Sequence, residues 1–193
     1  MSTQHTLVSR WLSRFFLSTF LVATLLLVSC GDDPEPAHEE ELITTLTVTL
    51  TPTGGAPITM TFKDLDGDGG GAPEYIYSSG GNAAVLSAST TYTATITLLN
   101  ESENPAEDIT EEIEEEADEH LFCFTPTGAN IGIAYDDEDD NGLPVGLTTT
   151  WTCGDAGTGT VKIVLRHQPG TKTGACPGPG ESDIEVTFNV SIQ

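Results

Sequence analysis

The sequence predicts an all-β domain, an antiparallel β-sandwich carrying one short acidic helix. Three observations predict it. From Leu42 onward, apolar residues recur at every second position. The alternating runs are short, and Gly, Pro and Asn separate them. One segment, 108–119, changes period and spaces its apolar residues by four. A period of two turns one strand face to a core and the other to water, whereas a spacing of four makes a stripe along a helix.

The strands follow in order. Leu46, Val48 and Leu50 alternate with threonines, then Ile58, Met60 and Phe62 alternate with Thr59, Thr61 and Lys63. Tyr92, Ala94, Ile96 and Leu98 make a third run, again set against threonines. Threonine is β-branched and polar, so it suits the wet face of a strand. Shorter strands are expected at 121–125, 130–135 and 146–152. Val161, Ile163 and Leu165 follow, and Ile184, Val186, Phe188, Val190 and Ile192 end the chain. Many short strands with turn residues between them resemble an immunoglobulin-like sandwich in architecture, without the Cys…Trp…Cys spacing of antibody domains.

The helix has its own logic. Ile109, Ile113 and Ala117 share a stripe, Asp108 is placed to cap it, and Glu111 stands three residues on as the reciprocal partner. Seven acids lie between 111 and 119. The expected helix therefore rests a narrow apolar stripe on the sandwich, crosses between the sheets and turns its acids to water.

The chain before Leu42 reads differently. Arg10 and Arg14 precede an uncharged apolar run from Phe15 to Cys30. A basic start and a short apolar core form the pattern of a secretory signal peptide. The run is shorter than the roughly 20 residues of a membrane-spanning helix, which leaves a permanent anchor as the second reading. Leu27, Val28, Ser29 and Cys30 resemble the lipobox of bacterial lipoproteins: an aliphatic residue, a variable one, a small one, then cysteine. That resemblance implies cleavage before Cys30 and acylation of its thiol. The lipid membrane is then a partner, held through several acyl chains at about 0.8 kcal/mol per buried methylene.

The stretch 31–41 holds six acids and two prolines, with no apolar period. It is expected to be an extended tether. It also resembles in kind the acidic signals after the cysteine that some Gram-negative bacteria use to send lipoproteins to the cell surface. The expected organisation is thus a signal peptide at 1–29, a tether at 30–41 and one domain at 42–193. The protein is expected at the outer membrane, on the cell surface or the periplasmic face.

Charge narrows the partners. Without residues 1–29 the chain keeps Lys63, Lys162, Arg166 and Lys172 against 30 acids, a formal charge of −26. A nucleic-acid partner is excluded on that ground, because phosphate backbones bind cationic surface. Docking on anionic lipid through the protein surface is disfavoured for the same reason. Cations are the natural counter-species, and high charge also serves solubility.

Three cysteines remain beside Cys30. Cys153 follows Trp151 by two and shares its face, Cys123 lies opposite Phe122 and Phe124, and Cys176 sits in a Gly/Pro loop. An oxidising compartment permits one disulfide, and Cys153–Cys176 is the expected pair.

Two acidic stretches resemble calcium loops. Asp64, Asp66 and Asp68 precede Gly69 as D-x-D-x-D-G, and Asp137, Asp139 and Asn141 precede Gly142 as D-x-D-x-N-G. Alternate carboxylates in a tight loop converge on one point, and calcium takes six to eight oxygens. In the first loop the twelfth position is Tyr75, not the bidentate Glu of an EF-hand. The bland reading is two acidic turns, and Asn-Gly is a turn signal that needs no ion. Calcium is the one cofactor these loops suit.

His120 and His167 both continue a core-facing alternation at a strand end. The "EH" at 119–120 and "LRHQP" at 165–169 are placed to meet at one end of the sandwich. Two imidazoles with a carboxylate hold a transition metal, or with Arg166 grip an anion. The plainer reading is two unrelated rim histidines. Catalysis has little support: there is no GxSxG elbow, P-loop or dinucleotide fingerprint. The expected function is a non-enzymatic binding or structural module for a protein or glycan ligand, stabilised by calcium. The alternatives are capture of a transition metal or small ligand at the His120/His167 end, and a hydrolase.

Overall fold

The structure is a computed structural model and describes residues 41–67 and 70–193. The expected signal peptide, Cys30, the rest of the tether and Asp68 lie outside the described residues. The chain divides into two units, and the second runs from Glu39 to Gln193. Its described residues form the expected all-β sandwich.

The elements are β1 (Thr45–Pro52), β2 (Ile58–Lys63), β3 (Glu74–Tyr77), β4 (Ala84–Leu86), β5 (Thr91–Asn100), β6 (Glu107–Asp108), α1 (Ile109–Glu115), β7 (His120–Thr127), β8 (Ile131–Tyr135), β9 (Thr148–Cys153), β10 (Gly157–His167) and β11 (Glu181–Ile192). One sheet has the order β3-β2-β1-β5-β9-β8, with β6 added beside β5. The other has the order β4-β11-β10-β7. Every pairing is antiparallel except β4 with β11, which is parallel.

The alternation does what its period requires. Leu46, Val48 and Leu50 are wholly buried, with Thr47 and Thr49 between them half-buried; Val161, Ile163, Leu165 and Phe188 are wholly buried too, with Lys162 and Val164 half-buried between the first three. Each such apolar side chain contributes about 1.5–3 kcal/mol on burial. Trp151 is wholly buried at the centre and donates its indole N–H to Thr149 Oγ1 at 3.0 Å. β3, β4 and β6 were not expected from the sequence. They are short edge pieces, and β3 buries only Tyr77, so no alternation announces them.

Helix α1 joins the two sheets as expected. Asp108 caps it by accepting from Thr110 N at 3.0 Å, and Ile109 and Ile113 are buried. It ends at Glu115, four residues short of the expected bound. The last turn carries acids and no base, which opposes the helix dipole and lets the chain unwind towards β7.

The disulfide joins Cys123 to Cys176, not Cys153 to Cys176. The face assignments hold and explain the outcome. Cys153 shares the buried face of Trp151 and is itself buried as a free thiol. Cys123 points across the pleat from Phe122, away from the core, where the 168–180 loop passes. An inward thiol cannot reach that loop; an outward one can.

A buried histidine–carboxylate cluster

β7 and β10 are neighbours, and their register sets His167 directly opposite His120. The expected meeting of the two histidines is therefore a property of the backbone. Their rings stack, with centroids 4.7 Å apart and planes 6° from parallel. His120 is wholly buried, and its Nδ1 lies 3.1 Å from the Glu116 carbonyl oxygen. A carbonyl only accepts, so Nδ1 carries the proton of that bond.

Carboxylates surround the pair. Glu41 Oε1 is 3.3 Å from His120 Nε2, and Asp183 Oδ2 is 3.9 Å from the same nitrogen. Glu119 Oε2 is 3.5 Å from His167 Nε2. Burial pushes the His120 imidazole towards its neutral form, but Glu41, the Glu116 carbonyl and Asp183 outweigh it, and the net pKa is raised. Burial likewise pushes the Glu41 carboxyl up; its bond and charge contact with His120 outweigh this and hold it below the usual carboxylate range.

Two of these acids were missed by sequence reasoning. Glu41 belongs to the acid run read as tether, yet its side chain is only 6 % exposed. Asp183 should face water by the alternation that buries Ile184 and Val186. Leu165 pairs with Ile184 but Arg166 pairs with Ser182, so Asp183 is the extra residue of a β-bulge. Bulges re-aim side chains, and this one turns Asp183 inward. No sequence signal marks it.

Arg166 does not join the histidines. It alternates with His167, and its guanidinium donates to Ser182 Oγ and to the Pro179 and Gly180 carbonyls. Its guanidinium is engaged by the turn before β11 rather than by the histidine cluster.

In the second acidic loop the carboxylates are engaged by the chain itself. Asp137 accepts from Gly146 N at 2.7 Å and Thr148 N at 2.8 Å, one bond to each oxygen. Asp139 Oδ1 accepts from Asn141 N and Leu143 N, both at 2.9 Å, and Oδ2 pairs with Lys172 at 2.9 Å. The loop already holds a cation, and it is a lysine ammonium. Asn141 is exposed and supplies the turn, which Gly142 completes at φ +76°. In the first loop Asp64 Oδ1 accepts from Gly67 N at 3.1 Å and Asp66 Oδ2 from Gly71 N at 2.7 Å. The Gly71 N–H is the main cause holding the exposed Asp66 carboxyl low. Calcium there would have to take both acids from these bonds.

Among the described residues one group of ligating side chains gathers closely: Glu41, Glu116, His120 and His167, with one donor atom from each within 4.8 Å of the others. No helix among them is long and apolar enough to cross a membrane. The class that fold and site define is a two-sheet β-sandwich with a buried histidine–carboxylate cluster at one end. No family model, curated protein or solved structure matches the chain.

Proposed function

We propose that this protein is a lipid-anchored, extracytoplasmic module of the outer membrane that works by binding, without catalysis, at the His120/His167 end. One observation carries the binding end: two imidazoles and Glu41 close into one buried cluster on paired strands. Buried titratable groups cost folding free energy unless they are paired, so their concentration at one place marks function more than packing. The anchor rests on the resemblance of Leu27, Val28, Ser29 and Cys30 to a lipobox. The charge of the chain beyond Cys30 favours a cationic ligand over an anionic one.

Labelled palmitate fed to cells making the full chain tests the anchor. The expected result is label on the protein and recovery with membranes, both lost in Cys30→Ala. Label retained by Cys30→Ala, or absent from the unaltered chain, overturns it.

A further inference from the structure

We propose that Glu41, His120 and His167 form a site for one divalent transition-metal ion, with zinc the first probe; this rests on the reading that the histidine end is the binding end. The donor set comes first. Two imidazoles and a carboxylate suit zinc, cobalt, nickel or copper, whereas calcium takes oxygens.

The orientation of His120 is the second argument. Its Nδ1–H is held by the Glu116 carbonyl, so the neutral ring presents its lone pair at Nε2. Metal-binding histidines are oriented in this way, by a bond from the other nitrogen to a carbonyl or carboxylate. Nε2 is buried with only the Glu41 and Asp183 carboxylates facing it, and Glu41 Oε2 is buried with no hydrogen bond. The 3.3 Å from Nε2 to Glu41 Oε1 also fits. Ligands at about 2.0–2.1 Å from a tetrahedral zinc are separated by about 3.3–3.4 Å. His120 and Glu41 already span one edge of that tetrahedron.

His167 is the third ligand, and its stacking imposes a condition. An ion lies in the plane of each imidazole that binds it. Rings stacked 6° from parallel share no such point. One ring must turn on loading. His120 is held through Nδ1, so loading unstacks the two rings and exchanges the His167 Nε2–Glu119 contact for the ion. Water or Glu116 completes the coordination. A cleft of about 530 Å³ reaches Glu41 and Asp183 but neither histidine, and its carboxylates favour approach of a dication on that side.

The test is calorimetric titration of the metal-stripped full chain, purified in detergent, with zinc, followed by cobalt absorption spectra. One tight site is expected, with visible cobalt bands of tetrahedral intensity. Glu41→Gln, His120→Ala and His167→Ala should each weaken zinc by more than about tenfold, while His38→Ala leaves it unchanged. Glu41→Gln is nearly isosteric, so a far-ultraviolet spectrum like that of the parent keeps the result interpretable should a histidine variant misfold. No zinc binding, or affinity unchanged in Glu41→Gln, overturns the proposal. The cluster is then an imidazolium–carboxylate pair only. Palmitate labelling is independent of zinc: label without zinc affinity defeats the metal site and leaves the anchored module standing.

Discussion

Lys172 donates to Asp139 at 2.9 Å with both side chains almost wholly buried. The ammonium also donates to the Ala117 carbonyl at 2.8 Å. Three parts of the chain meet there: the turn after α1, the 136–144 loop and the 168–180 loop. The loop's aspartates are thus spent on folding.

Lys172→Ala should therefore destabilise the domain strongly. It leaves a buried carboxylate without its cation, and breaking such a pair costs about 3–5 kcal/mol. Urea unfolding followed by tryptophan fluorescence measures it. A loss under about 1 kcal/mol would show that water reaches the pair and screens it.

The same pair sets an acid limb. Burial pushes the Asp139 carboxyl up, but Lys172 and two backbone N–H groups outweigh it, and the folded pKa lies below the unfolded one. The stability it contributes is whole above the unfolded value, about 3.9. It is lost as pH falls below that value and through the folded pKa. Urea midpoints between pH 6 and pH 3 should fall, and Lys172→Met should weaken that dependence. An identical acid limb in the variant would assign it to other carboxylates.

Reducing Cys123–Cys176 should lower the melting temperature. The cross-link closes a separation of 53 residues, which corresponds to about 4 kcal/mol of chain entropy and about 2–4 kcal/mol in practice. Peptide mapping of the unreduced protein should recover Cys123 with Cys176. Recovery of Cys153 with Cys176 would refute the face assignment.

Cys153 should resist thiol reagents in the native state. It is buried, and burial pushes its thiol pKa up, so little thiolate is exposed to react. In Cys30→Ala, Ellman's reagent should count one thiol after denaturation and none before. Rapid native labelling would mean that β9 opens readily.

Lys63 at the end of β2 is a contrast. It pairs with Glu101 at 2.8 Å, and both side chains stay about one-third exposed. Solvent screens such a pair, so Glu101→Gln should change stability by less than about 1 kcal/mol.

How much was legible follows from range. The alternation of Leu46, Val48 and Leu50, or of Ile184 through Ile192, is a local pattern with one solution: a strand with one buried face. Asp108 as a cap and Ile109 with Ile113 as a stripe are equally local. His120 and His167 were legible as core-phase ends of two strands, because phase is carried along each strand. Their stacking was not, because it depends on which strands pair and in what register.

The tertiary structure alone decided what depends on distant partners. Asp183 turns inward through a bulge that one slip in the β10–β11 register creates. Glu41 is one of three successive glutamates in sequence, and its role rests on its approach to His120 in space. Asp139 matches a calcium loop until Lys172, 33 residues later, occupies its carboxylate. Cys153 and Cys123 could be assigned to faces from phase, yet the bond went to the face the 168–180 loop crosses. The sequence by itself determined period, polarity and the seam at Cys30, because nearest neighbours specify these. The fold decided which charges meet, because a carboxylate's role is set by what approaches it in space.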